Sequence, residues 1–166
     1  DEAIGRGEKE NKPGTRFSFD MLGEGARTLA DADRYFESYK SAIIQIGAEE
    51  KEDTPYDANG ISVKFSALHP RYEMVQYDIV MSVMVPRVIE LAKLAKEKGL
   101  GFTIDAEEAD RLDISLDIFE ILARSSELQD WDGLGIVVQA YQKRAPYVLD
   151  WLATLGRELG RKFMVR

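Results

Sequence analysis

The chain has 166 residues, a formal net charge of −8, one histidine and no cysteine. The acidic balance excludes the basic footprint that nucleic acid or an anionic membrane face needs, and the lack of cysteine excludes disulfides, thiolate zinc sites and iron–sulfur ligation. The lone His69 rules out multi-histidine metal sites. No apolar run is long enough to cross a bilayer and Asp1-Glu2-Ala3 lacks the layout of a signal peptide, so a cytoplasmic setting is expected.

Residues 1–15 are polar and glycine-rich and read as a linker or arm ahead of a folded unit spanning 16–166. Arg16 to Leu22 alternates apolar and polar side chains around Asp20, a first strand. Thr28 with Asp31 resembles a helix N-cap with an acidic first turn, and Leu29, Ala32, Phe36, Tyr39, Ile43 and Ile46 form one apolar helical face, with Gly47 as its C-cap. Gly60 to Phe65 is a second strand with Lys64 near its end. The loop containing His69 leads to a helix over Met74 to Lys98, with Val80, Val83, Met84, Leu91 and Leu94 on its apolar face; Pro86 should kink or split it. Gly99 closes that helix.

Gly101 to Asp105 is a third strand, followed by the acidic loop of Glu107, Glu108 and Asp110 and a helix that begins near Asp113 and presents Ile114, Ile118, Ile121 and Leu122. Gly135 to Gln139 is a fourth strand. A fourth helix shows Val148, Trp151, Leu152, Leu155 and Leu159 and ends at Gly160. Lys162 to Arg166 is a fifth strand. The alternation predicts an α/β protein of parallel β/α units, about four and a half of the eight in a (β/α)8 TIM barrel. A whole barrel typically takes about 250 residues, so the chain is expected to be a piece of a larger protein.

In parallel β/α folds, ligands sit beyond the carboxyl ends of the strands. Those positions hold Asp20, Lys64, Asp105, Gln139 and Arg166, a mixed-charge ring suited to a polar ligand. Lys64 and Asp105, from successive strands, form either a structural salt bridge or an ammonium offered to a substrate carboxylate and held by an acid. Arg166 offers a fork for anions, and Gln139 both donates and accepts, as an imide edge requires. The acidic loop has no metal-spacing motif, and G-x-G-x-x-G is absent. Phe36, Tyr39 and Trp151 read as core residues.

The segments FSFDMLGEGART, GISVKFSALHPRYE, IDAEEADRLDISLDI and GIVVQAYQKRAP, followed by FMVR, resemble the proline dehydrogenase domain of the bifunctional proline-utilisation flavoenzymes. They occur in family order from Arg16 to Arg166. The resemblance implies a barrel that holds FAD, oxidises L-proline to Δ1-pyrroline-5-carboxylate and passes electrons to a quinone, with the parent peripheral at the inner membrane. It also implies that Lys64 binds the proline carboxylate, Asp105 lies beside it at substrate and flavin, Gln139 hydrogen-bonds the isoalloxazine, and Arg166 stands near its reactive edge. The family continues after FMVR into a Lys-Gly-Ala-Tyr-Trp segment, later units that contact FAD, and paired arginines on a final helix. The 166-residue piece alone is therefore expected to bind FAD poorly, turn over little, and meet either the remaining barrel half or another copy through its edge strands. Two other readings stand beside it: a metal-dependent lyase or aldolase using Asp20, Asp105 and Glu107, and a non-catalytic association scaffold.

Overall fold

The computed structural model describes Gly5 and residues 15–21, 25–50 and 52–166. Most of the expected arm, and Leu22 of the first strand, lie outside the described residues. Short apolar stretches become β1 (Ser18–Asp20), β2 (Gly60–Val63), β3 (Gly101–Ile104), β4 (Leu134–Ile136) and β5 (Met164–Val165). All neighbours are parallel and their order is β1-β2-β3-β4-β5. A doubly wound sheet reverses its order at a switch point; this one never does. Every crossover therefore steps the same way, and successive helices pack on one another in a single layer. The result is an α/β arc consistent with a partial (β/α)8 barrel.

Along each strand, alternate side chains face the helices. Ile61, Val63, Phe102, Ile104, Leu134 and Ile136 do so and join one core with the buried faces of all four long helices. The first is α1 (Leu29–Glu49), where Asp31 N–H donates to Thr28 Oγ1 and Thr28 N–H to Asp31 Oδ2, each at 3.1 Å, the reciprocal cap that the sequence pattern predicts. Gly47 does not end the helix. It lies inside it, where a Cβ would stand 2.6 Å from the Cβ of Lys98, so its missing side chain lets α1 close on the next helix. Gly47→Ala, which in an ordinary helix interior gains about 0.5–1 kcal/mol, is expected here to lose about 1 kcal/mol to overpacking in urea unfolding.

That next helix, α2 (Tyr77–Glu97), follows a 3-10 turn at Met74–Gln76 and runs unbroken through Pro86. Pro86 and Ser82, whose carbonyl loses its partner, both lie on the exposed face, which leaves that carbonyl on the solvent side, while Val80, Met84, Val88 and Leu91 stay buried. In α3 (Leu112–Arg124), Ile114, Ile118 and Leu122 are buried as expected, but Ile121 is exposed. Phe119 takes the core position instead because rings from either side meet it: Trp151 at 6.2 Å and Phe163 at 5.0 Å. Finally, α4 (Ala145–Leu159) begins with Pro146 in its first turn and ends at Gly160 in the left-handed region, φ 62°. No helix among the described residues is long and apolar enough to cross a membrane.

Candidate functional site

On the face away from the helices, Ser18 and Asp20, Ser62 and Lys64, and Thr103 and Asp105 are two residues apart on three adjacent strands. Val63 is in register with Ile104, so the residues that follow them, Lys64 and Asp105, stand side by side. Lys64 Nζ lies 2.5 Å from Asp20 Oδ2 and 3.0 Å from Asp105 Oδ2. The other oxygen of Asp105 accepts from Arg166 Nη2, while Arg166 Nη1 donates to Ser62 Oγ at 3.0 Å and to Ser18 Oγ at 3.4 Å. The structure thus brings together four of the five residues singled out from sequence, Asp20, Lys64, Asp105 and Arg166, in a row that alternates in charge from Asp20 to Arg166. Burial pulls the pKa of Lys64 down, but its hydrogen bonds to Asp20 and Asp105 outweigh that and the net shift is upward, so the ammonium persists at neutral pH.

The backbone behind this row is tightly held. Lys64 N–H donates to the hydroxyl of Tyr39 at 3.2 Å; Tyr39 is wholly buried, and burial pushes its pKa up to about 12. Just beyond, in the 3-10 turn Phe65–Ala67, Ser66 ties three strand-to-helix turns together. Its carbonyl accepts from Ala26 N–H at 2.8 Å, its hydroxyl from Gly25 N–H at 3.3 Å, and its own N–H donates to Glu107 Oε1 at 3.0 Å.

Glu107 also pairs with Arg111 at 2.9 Å, and Glu108 meets the same guanidinium at 3.0 Å. Arg111 lies over the ring of Tyr72, whose hydroxyl is 2.6 Å from Ser115 Oγ. Glu107 and Glu108 of the acidic loop thus share one guanidinium, and among the described residues no group of three or more His, Cys, Asp or Glu side chains is placed to hold a metal ion. His69 is buried, its Nδ1 accepts from Arg71 N–H at 3.2 Å, and burial lowers its pKa, which favours the neutral ring.

Gln139 stands apart from the charged row. Hydrogen bonding continues past β4, with Val137 N–H on Ile104 O at 2.8 Å and Val138 N–H on Arg166 O at 2.9 Å, and then turns into the loop. There Gln139 Oε1 accepts from Gln142 Nε2, and its own amide NH2 group has no partner among the described residues. Gln139 lines, with Asp105, Leu112, Leu116 and Val137, a hollow of about 20 Å³, room for one water. Tyr39 is the core residue that the sequence predicts, but the bond to its hydroxyl, Ser66 and the inward serines were not foreseen. The serines had a visible signal, since Ser18 and Ser62 each lie two residues before a charged strand end; the Tyr39 bond and Ser66 had none.

The sequence profile of the proline dehydrogenase family matches residues 3–166. The bifunctional protein PutA of Klebsiella aerogenes is 49% identical over 165 residues, 99% of this chain and 13% of that protein. PutA of Escherichia coli K12 is 48% identical over 165 residues, covering 99% of this chain and 12% of its own length. The chain therefore spans about an eighth of these curated relatives. A crystal structure of a proline utilization A (PutA) mutant from Bradyrhizobium japonicum superposes with a TM-score of 0.88 at 52% identity, over 96% of this chain and 16% of that one. The chain belongs to the proline dehydrogenase family.

Proposed function

We propose that this chain supplies the substrate-facing rim of a FAD-dependent proline dehydrogenase, which oxidises L-proline to Δ1-pyrroline-5-carboxylate and delivers the electrons to a quinone. The observation that carries this reading is the row Asp20, Lys64, Asp105 and Arg166 at the carboxyl ends of parallel strands, in a chain matched by the family profile over residues 3–166.

L-Proline presents a carboxylate beside a ring nitrogen. Lys64 offers its carboxylate a charge-assisted bond, typically worth about 1.5–3 kcal/mol. Asp105, buried and doubly bonded, fixes both flanking cations so that little reorganisation is needed when a ligand arrives. FAD, when bound, supplies the acceptor for the hydride that leaves proline C5. The donor set fits such a cofactor: the amide NH2 of Gln139, without a partner among the described residues, suits a ring carbonyl, Arg166 brings positive charge toward the ring, and Asp105 bonds Arg166 and lines the same hollow as Gln139. Gln139, Arg166 and Asp105 are the residues of this chain that would hold it.

Within the described residues β1 and β5 each pair on one side only, so these rim groups line an arc open to the rest of a barrel or to a second copy. Full-length parent protein, yellow with bound FAD, is expected to lose its colour when L-proline is added without oxygen and to release the pyrroline. The 166-residue chain, dialysed against FAD, should retain little of it and show no bleaching. A yellow parent that proline leaves unbleached would refute the reaction; bleaching by the isolated chain would refute the dependence on the remaining barrel.

A further inference from the structure

Among the described residues, two carboxylates that are far from equivalent hold Lys64. Asp105 has a side chain only 9% exposed, its second oxygen is taken by Arg166, and its backbone N–H is tied to Val63 O at 3.0 Å. Asp20 has a side chain 45% exposed and sits at the end of β1, which among the described residues pairs with β2 alone. An exposed ion pair gains little over hydration, whereas breaking a buried one leaves charge stranded.

We propose that Asp20 is a place-holder for the ligand's carboxylate: it keeps the Lys64 ammonium turned to the mouth and is the partner that an arriving carboxylate displaces. This rests on the reading of Lys64 as the carboxylate-binding group. Asp20 Oδ2 and the ligand seek the same ammonium, which Asp105 also holds; a third carboxylate there adds like-charge repulsion, so the ligand replaces the exposed Asp20 rather than joining it. Asp105 cannot yield in this way without stranding Arg166 as well. Asp20 is a positioning residue in this account, and its negative charge is a standing competitor of the substrate.

The test uses the flavin-loaded full-length parent carrying Asp20→Asn, which keeps the shape and removes the charge. Two quantities are read: KM for L-proline, and Kd for cyclopentanecarboxylate, a ring carboxylate with no oxidisable C–N bond, followed by flavin absorbance and by thermal shift. Both constants are expected to fall about twofold to fivefold, a tightening that structural damage would not produce. Asp20→Ser, smaller and also neutral, should give the same sign if charge is the cause. Unchanged or weaker binding in variants that remain yellow and are still bleached by proline overturns the place-holder while leaving the reaction intact. A wild-type parent that binds neither compound overturns both.

Discussion

Asp105→Ala is expected to lower kcat/KM of the parent enzyme by about a hundredfold to a thousandfold and to cost about 3–5 kcal/mol of stability. Asp105 is the only anion wedged between two cations in the row, with one oxygen on Lys64 and the other on Arg166. Its side chain is 9% exposed, so water cannot take over when it is removed. The alanine variant leaves a half-buried ammonium and a guanidinium facing one another across a cavity, the situation in which losing one member of a buried pair is most damaging. Asp105→Asn separates shape from charge: it fills the space and accepts one bond, and should recover part of the stability and little of the activity. Urea unfolding and steady-state kinetics decide. A loss below about 1 kcal/mol with activity within tenfold would show that the row is ornamental.

Gly135→Ala is expected to destabilise by about 2–3 kcal/mol and to remove Arg166 from the rim, although it touches none of the charged residues. A Cβ at Gly135 would stand 2.6 Å from the carbonyl oxygen of Met164, 2.9 Å from its Cβ and 3.2 Å from Thr103 Oγ1. The first of these is backbone on the neighbouring strand and cannot rotate away. Since β5 is held to the sheet through Gly135↔Met164 and Ile136↔Val165, relief comes by pushing β5 off β4. Arg166 follows Val165 directly and would be carried from Asp105 and Ser62. Native-state amide exchange at Val138 and Arg166, whose N–H groups bond across this junction at 2.9 and 3.2 Å, should accelerate strongly in the variant. Protection equal to wild type would mean that the strands absorb the methyl group without parting.

The sheet and its four long helices could be read from the chain because apolar residues recur with the period of each element, and burial on one face enforces that period. The pairing of Lys64 with Asp105 was legible for a related reason: successive parallel strands of equal length deliver their end residues side by side. What escaped depends on neighbours distant in sequence. Gly47 looks like a cap until the side chain of Lys98 is found against it. Pro86 looks like a break, yet the bond it removes faces water. Phe119 outranks Ile121 only because Trp151 and Phe163 converge on it. Gln139 was placed at the mouth by its position after β4, but its oxygen turns back to Gln142 in its own loop, which no spacing rule foretells.

The linkage through Ser66 makes the rim lopsided. Gly25, Ala26 and Glu107 all bond to that one residue, so the first three turns are riveted into a stiff plate. The fourth turn reaches the plate through Arg144 on Asp113, at 2.5 Å but with both side chains more than half exposed, and β5 reaches it through Arg166 on Asp105. The second flank is thus the less braced of the two: side-chain bonds of half-exposed arginines tie it to its neighbours at the mouth, where the Lys64 side has three turns pinned on one buried serine.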